Sequence, residues 1–209
     1  MKAILAFQNV LIKISVVLLI FIPASSLFFD PGFEVKGIFY TISFTAVFLV
    51  MFIRPMADIF INHLWLRRLV ILRKGFGILS ASIIVGFMIA SIIAPDSVYL
   101  ASFFTKRFWS FETFSFWAHL GDVSGVILLL TSNVFSQRIL KQNWKRIQRL
   151  SYVYFYAGGI YEAFALDSTF AFYSILLITN LTVLAWAIKV WRRLPDVTEN
   201  SFNTNARIA

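Results

Sequence analysis

The sequence predicts an all-α membrane protein, a bundle of six transmembrane helices, and three observations carry that expectation. Hydrophobic residues make up 59% of the 209 positions, charged residues only 14%, and the mean hydropathy is +0.80. Soluble domains carry about a quarter charged residues, so this composition belongs to another class. The apolar stretches are long enough to cross about 30 Å of hydrocarbon at about 1.5 Å per residue. Lysine and arginine are also distributed very unevenly between alternate loops, as the positive-inside rule requires of a multi-span chain.

The apolar stretches fall at 10–29, 37–53, 75–94, 114–134, 150–166 and 168–190. The first has a signal-peptide look, with Lys2 and Lys13 ahead of Pro23, Ala24, Ser25 and Ser26. Lys13 lies deep, however, and the apolar run continues past the serines, so the segment reads as an uncleaved anchor. Asp30, Pro31 and Gly32 follow it, Arg54 and Pro55 close the second stretch, and Pro95 and Asp96 close the third. The third stretch spaces small residues by four, Gly77 and Ala81 in one register and Ser82, Gly86 and Ala90 in another. Such spacing lets helix backbones approach closely in lipid, with room for a flat cofactor as the alternative reading. The fourth stretch contains His119 and Asp122, and the fifth is aromatic and glycine-bearing with Glu162 near its end. No linker interrupts the chain, so 1–194 is expected as one transmembrane domain, and 195–209, rich in Asn, Thr and Ser, as a polar, mobile cytoplasmic tail.

Sixteen of the 19 Lys and Arg residues fall at the termini and in the second and fourth loops, whereas the other loops hold Lys36, Lys106 and Arg107 alone. This bias places both termini in the cytoplasm, in a multi-pass protein of the inner membrane. The opposite loops collect Asp30, Glu34, Asp96, Glu112 and Asp167. The net charge of +9 is then a topology signal. It calls for no nucleic-acid partner, although membrane lipids with anionic heads are attracted by the same residues.

The chain has no cysteine, which excludes disulfides, iron–sulfur clusters, thiolate-ligated haem and zinc ribbons. It has neither a Gly-rich phosphate loop nor a dinucleotide-binding pattern, neither a Ser–His–Asp set nor a paired-carboxylate site. No catalytic residue or metal site is therefore assigned, and a self-contained enzyme is not expected. The ionisable residues within apolar stretches carry the functional signal instead. Asp122 falls three residues after His119, so the two share a helix face, and a carboxylate in hydrocarbon is costly enough to be a functional hypothesis by default. Glu162 is expected to join them as an intramembrane polar cluster. His63, in the loop "FINHLWLRR", reads as a hydrated interfacial side chain.

One stretch, "NWKRIQRLSYVYFYAGGIYEAF" at 143–164, has a more specific pattern. Trp144 is followed four residues later by Gln148, and Tyr161 comes thirteen residues after that. Upstream, Arg73 and Lys74 precede Gly77, and Phe87 stands ten residues beyond the glycine. This spacing resembles the ferric reductase-like transmembrane family, most closely its bacterial branch, the haem-binding membrane subunits of periplasmic methionine-sulfoxide reductase systems. "TSN" at 131–133, the basic "QRILKQNWKRIQ" after it, and the loop "FFDPGFEVKG" look similar as well. The resemblance implies six spans, cytoplasmic termini, a b-type haem held by three histidines, and a periplasmic molybdenum-containing reductase as partner. Such a partner would dock on the outer loops, with 94–114 and its Lys106, Arg107 and Trp109 as the candidate surface.

At the three haem-histidine positions of that family this chain carries Phe87, Gln148 and Tyr161. Phenylalanine has no lone pair, glutamine is a weak oxygen donor, and tyrosine as phenolate favours ferric iron. With His63 and His119 the only histidines, three such ligands cannot be recovered by shifting the register. His119 and Met88 stand as replacement ligands. The expected function is a membrane subunit or scaffold that has lost haem, binds no cofactor, and serves a periplasmic or membrane protein partner. The alternatives are a transmembrane electron carrier, using haem b by unusual ligation or a quinone or flavin, and a small ion or proton transporter built on Asp122 and His119.

Overall fold

The computed structural model describes residues 2–28, 33–94, 99–112 and 114–205, with side chains through Arg192 apart from Phe33 and Val134. The expected breakers Asp30, Pro31, Gly32, Pro95 and Asp96 lie outside the described residues. The chain forms α1 (Lys2–Ser26), α2 (Phe33–Ile59), α3 (Leu64–Leu69), α4 (Leu72–Ile93) and α5 (Tyr99–Ser102). It continues as α6 (Ser115–Thr131), α7 (Val134–Leu140), α8 (Gln142–Ile147), α9 (Leu150–Ala165) and α10 (Thr169–Asn205).

The molecule is an all-α, multi-pass helical bundle in which α1, α2, α4 and α10 are long and apolar enough to cross a membrane. At 17 and 16 residues, α6 and α9 reach only about 25 Å, near the lower limit for a span. The long helices overrun the apolar stretches because hydropathy marks only the part fit for hydrocarbon, while a helix continues into its polar ends. Arg54 and Pro55, expected to end the second stretch, lie inside α2. Pro55 withdraws the donor for the Met51 carbonyl, a local cost that does not stop the helix, and Arg54 pairs with Asp58 one turn on at 3.0 Å. Likewise, α10 runs past residue 194 to Asn205.

Contacting pairs give the direction of each helix. Leu11 meets Gly75 and Ile22 meets Gly86, so α1 and α4 run parallel. Ser43 bonds Ser80 and Val50 accepts from Arg73, so α2 and α4 are antiparallel. Gly125 faces Tyr154 while Gly121 faces Gly158, and Gly159 faces Ile175 while Tyr156 bonds Thr179; α6 with α9, and α9 with α10, are therefore antiparallel too. The start of α1 and the Arg192 region of α10 consequently lie at one end of the bundle, beside the start of α4 and the end of α2.

Half of the most apolar window of α4 is buried against neighbours, against 11% for α1, which places α4 at the centre and α1 at the rim. The small residues of α4 serve that packing, since Cβ atoms at Gly75 and Gly86 would lie 3.1 Å from Leu11 Cδ1 and 3.3 Å from Ile22 Cβ. The room left by these two glycines is filled by α1. A second core joins α2, α6, α9 and α10, where Phe44 stacks on Phe155 with ring centroids 5.6 Å apart. In lipid, close packing and interhelical hydrogen bonds hold helices together, since burying an apolar side chain gains little there. The hydroxyls of Ser43, Ser80 and Tyr154 meet where α2, α4 and α9 converge. Tyr154 Oη lies 2.8 Å from Ser80 Oγ and 3.5 Å from Ser43 Oγ, and the two serine oxygens are 3.0 Å apart.

Candidate functional site

Two cavities lie between the central helices, and both reach Val47 and Tyr154. Tyr154 is the partition between them, held in place by its hydroxyl bonds and by its ring against Gly125.

The smaller cavity, about 470 Å³, lies where the starts of α2 and α6 meet the end of α9. Lys36, Tyr40, His119, Asp122, Tyr161 and Glu162 line it. The fold thus brings Glu162, forty residues further along the chain, to the space that His119 and Asp122 share, with Tyr161 beside them. His119 Nδ1 stands 3.6 Å from Asp122 Oδ2, just beyond a hydrogen bond, and is buried with no hydrogen-bond partner among the described residues. Its ring stacks on Phe108 with centroids 3.3 Å apart and planes 5° from parallel. Tyr99, Phe103 and Trp109 stand around it with centroids 6.1 to 6.4 Å away.

Segment 99–112 is therefore more than a loop. Phe108 turns inward onto His119 and is buried, while Lys106, Arg107 and Trp109 stay exposed. Trp109 Nε1 donates to the Phe103 carbonyl at 2.8 Å and closes the segment on itself. Tyr99 takes part in this box, and burial, then the nearby Asp122 and Tyr40, push its hydroxyl up to about 12.

The larger cavity, about 720 Å³, lies at the other end, between the end of α2 and the starts of α4 and α9. Gln148 lines it, with Nε2 buried and without a hydrogen-bond partner among the described residues. Trp144, four residues before Gln148, donates Nε1 to the Thr131 carbonyl at 3.0 Å and fastens α8 to the end of α6.

The three family positions therefore go to three different places. Gln148 faces one cavity and Tyr161 the other. Phe87 lines neither; it packs among α1, α2 and α4, with its ring 5.8 Å from Phe39 and 5.3 Å from Tyr40. Met88 is half-buried and lines neither cavity among the described residues. His63 stands at the N-cap position of α3 without a side-chain capping bond, at the end of the bundle opposite His119. No group of three or more His, Asp or Glu able to hold a metal occurs among the described residues. These residues do not reproduce the three-histidine set that the resemblance implies: Phe87 offers no donor atom, Gln148 is a weak oxygen donor, and the two histidines lie at opposite ends of the bundle.

Sequence reasoning passed over Tyr154, Ser43 and Ser80, although hydroxyls inside apolar stretches are themselves a signal of interhelical bonding. It also left Lys36 and Tyr40 out of the polar cluster, because their placement beside Asp122 depends on how α2 is rotated.

Fold and site together define a multi-span, all-α integral membrane protein with a polar cavity at either end of its central helices. No family model, no curated protein and no solved structure matches the chain.

Proposed function

We propose that the chain is a membrane subunit of ferric reductase-like descent that no longer holds haem and serves as a scaffold for a protein partner. In this reading the six alternating helices all cross the inner membrane, with both termini and the basic end in the cytoplasm. The partner, periplasmic or membrane-bound, sits at the end formed by segment 99–112, where Lys106, Arg107 and Trp109 are exposed. The observation that carries the reading is what stands at the three family positions: Phe87, packed among α1, α2 and α4, offers no donor atom, and Gln148 and Tyr161 present an amide and a phenol to the two cavities. Folds outlive their sites, and in this reading the space between helices persists while the side chains at its ligand positions have changed.

The test is an absorption spectrum, oxidised and dithionite-reduced, of protein purified from haem-replete cells, with iron assayed alongside. The expected result is a folded, colourless, iron-free protein. A Soret band near one haem per chain would overturn the reading in favour of an electron carrier and turn attention to His119, Met88 and Tyr161.

A second reading, a proton or cation site, is favoured by the convergence of His119, Asp122 and Glu162 on one cavity. Against it as a continuous path stands Tyr154, whose buried ring separates that cavity from the basic one.

A further inference from the structure

The larger cavity has a wall that neither haem loss nor scaffolding explains. Arg54, Arg73, Lys74, Lys145 and Arg149 line it, against the single acid Asp58. Asp58 is already paired with Arg54 at 3.0 Å, and among the described residues no carboxylate pairs with the other four cations. A positive-inside bias accounts for basic residues at this end of the bundle. It does not account for their convergence on one cavity, where five like charges face a single acid and repel one another.

Three further observations say what would relieve that repulsion. Arg73 donates Nε–H to the Val50 carbonyl at 3.0 Å, which holds its guanidinium one helical turn deeper than Arg54. A guanidinium so anchored is pre-arranged for bidentate contact with an anion. The buried Nε2 of Gln148 has no acceptor among the described residues, and buried donors are rarely left so unless a ligand supplies one. Beneath the cations the wall becomes apolar, with Val47, Val50, Ile78 and Leu128 leading to the ring of Tyr154. A small inorganic anion would leave that floor wetted, and an apolar molecule would leave the cations unpaired.

We infer that the basic cavity is a binding site for an anionic amphiphile, a lipid with a phosphomonoester head of the phosphatidic acid class. Its phosphate lies among Arg73, Lys74, Lys145 and Arg149 and accepts from Gln148 Nε2, and its chain runs against Val47, Val50, Ile78 and Leu128. A monoester carries more charge than the diester of a zwitterionic lipid and brings no bulky head group into the cavity. The site does not depend on whether the chain has lost haem.

Native mass spectrometry of the full chain in mild detergent tests this, titrating phosphatidic acid, phosphatidylcholine of the same acyl chains, and inorganic phosphate. The expected result is one phosphatidic acid per chain, bound at least about tenfold more tightly than phosphatidylcholine. The double substitution K74Q/K145Q should weaken it about tenfold, since each lost cation removes a charge-assisted contact. It should not lower the thermal midpoint of lipid-free protein, because among the described residues neither lysine side chain makes a hydrogen bond or ion pair, and removing two of five like charges lessens their repulsion. Gln148→Leu is the neutral counterpart, expected to weaken phosphatidic acid without altering net charge. Equal affinity for phosphatidylcholine, or phosphatidic acid binding that both variants leave unchanged, would overturn the site. Displacement of the lipid by an equal concentration of inorganic phosphate would overturn the amphiphile assignment and leave a site for the free anion.

Discussion

At the scale of single residues, space decides which glycines are replaceable. A Cβ at Gly159 would lie 3.0 Å from Ile175 Cδ1, 3.1 Å from its Cγ1 and 3.2 Å from Phe44 Cε2. Phe44 is itself held by its stack on Phe155, so the neighbours cannot all withdraw. At Gly158, next in the chain and on the other face, a Cβ would meet nothing within 4 Å. Overpacking costs about 1–3 kcal/mol, whereas alanine in place of glycine gains up to about 1 kcal/mol of helix propensity. Gly159→Ala is therefore expected to lower the thermal midpoint in detergent, and Gly158→Ala to leave it unchanged or raise it. Equal midpoints for the two variants would contradict the packing of α9 on α10. The sequence showed the fifth stretch only as glycine-bearing, and nothing local distinguished the two members of the pair. Rotation of the helix did.

Among elements, the short helices α7 and α8 form a cuff at the basic end, and their attachment is a side-chain matter. Asn133 caps α7 by accepting from the Ser136 backbone N–H at 2.6 Å, and Trp144 closes the cuff on the last carbonyls of α6. Those carbonyls have no intrahelical donor of their own, so an indole N–H arriving from α8 satisfies one of them. Trp144→Phe keeps the ring and removes that donor. A hydrogen bond of this kind contributes about 1 kcal/mol. Amide exchange across 134–148 is therefore expected to quicken about fivefold, while the core of α4 exchanges as before. Unchanged exchange in the cuff would mean that the indole bond is not what holds it. The motif that suggested a relative, Trp144 four residues before Gln148, thus has a structural use here that requires no cofactor. Hydropathy reads only long apolar runs and missed α3, α5, α7 and α8 altogether, so nothing in the sequence pattern showed that Trp144 sits on a helix of its own.

For the whole molecule, the testable quantity is orientation. The helices alternate in direction, and the start of α1 and the Arg192 region of α10 share an end with the basic cuff. Positive residues stay on the cytoplasmic side, so that end is expected inside. The chain contains no cysteine, and a single introduced thiol therefore reports its own side without interference. Thr105→Cys, in the exposed part of segment 99–112, should react with a membrane-impermeant maleimide on intact cells; Gln142→Cys, exposed on α8, should react only after permeabilisation. Reaction of both in intact cells, or the reverse pattern, would remove the topology on which the proposed partner surface rests.

Composition and hydropathy by themselves determined that the protein is an all-α membrane bundle, where its apolar helices run, and that His119, Asp122 and Glu162 are the polar residues to watch. Those are properties of single residues and of their spacing, and they survive any arrangement of the helices. Only the tertiary structure decided that Tyr154 divides the interior into two cavities, that Phe108 stacks on His119, and that Phe87 packs away from both spaces. The reason is physical: in a chain whose helices are apolar on nearly every face, no amphipathic stripe declares which side turns inward. Small-residue contacts and a few buried hydroxyl bonds make that choice, and they exist only once the helices have met.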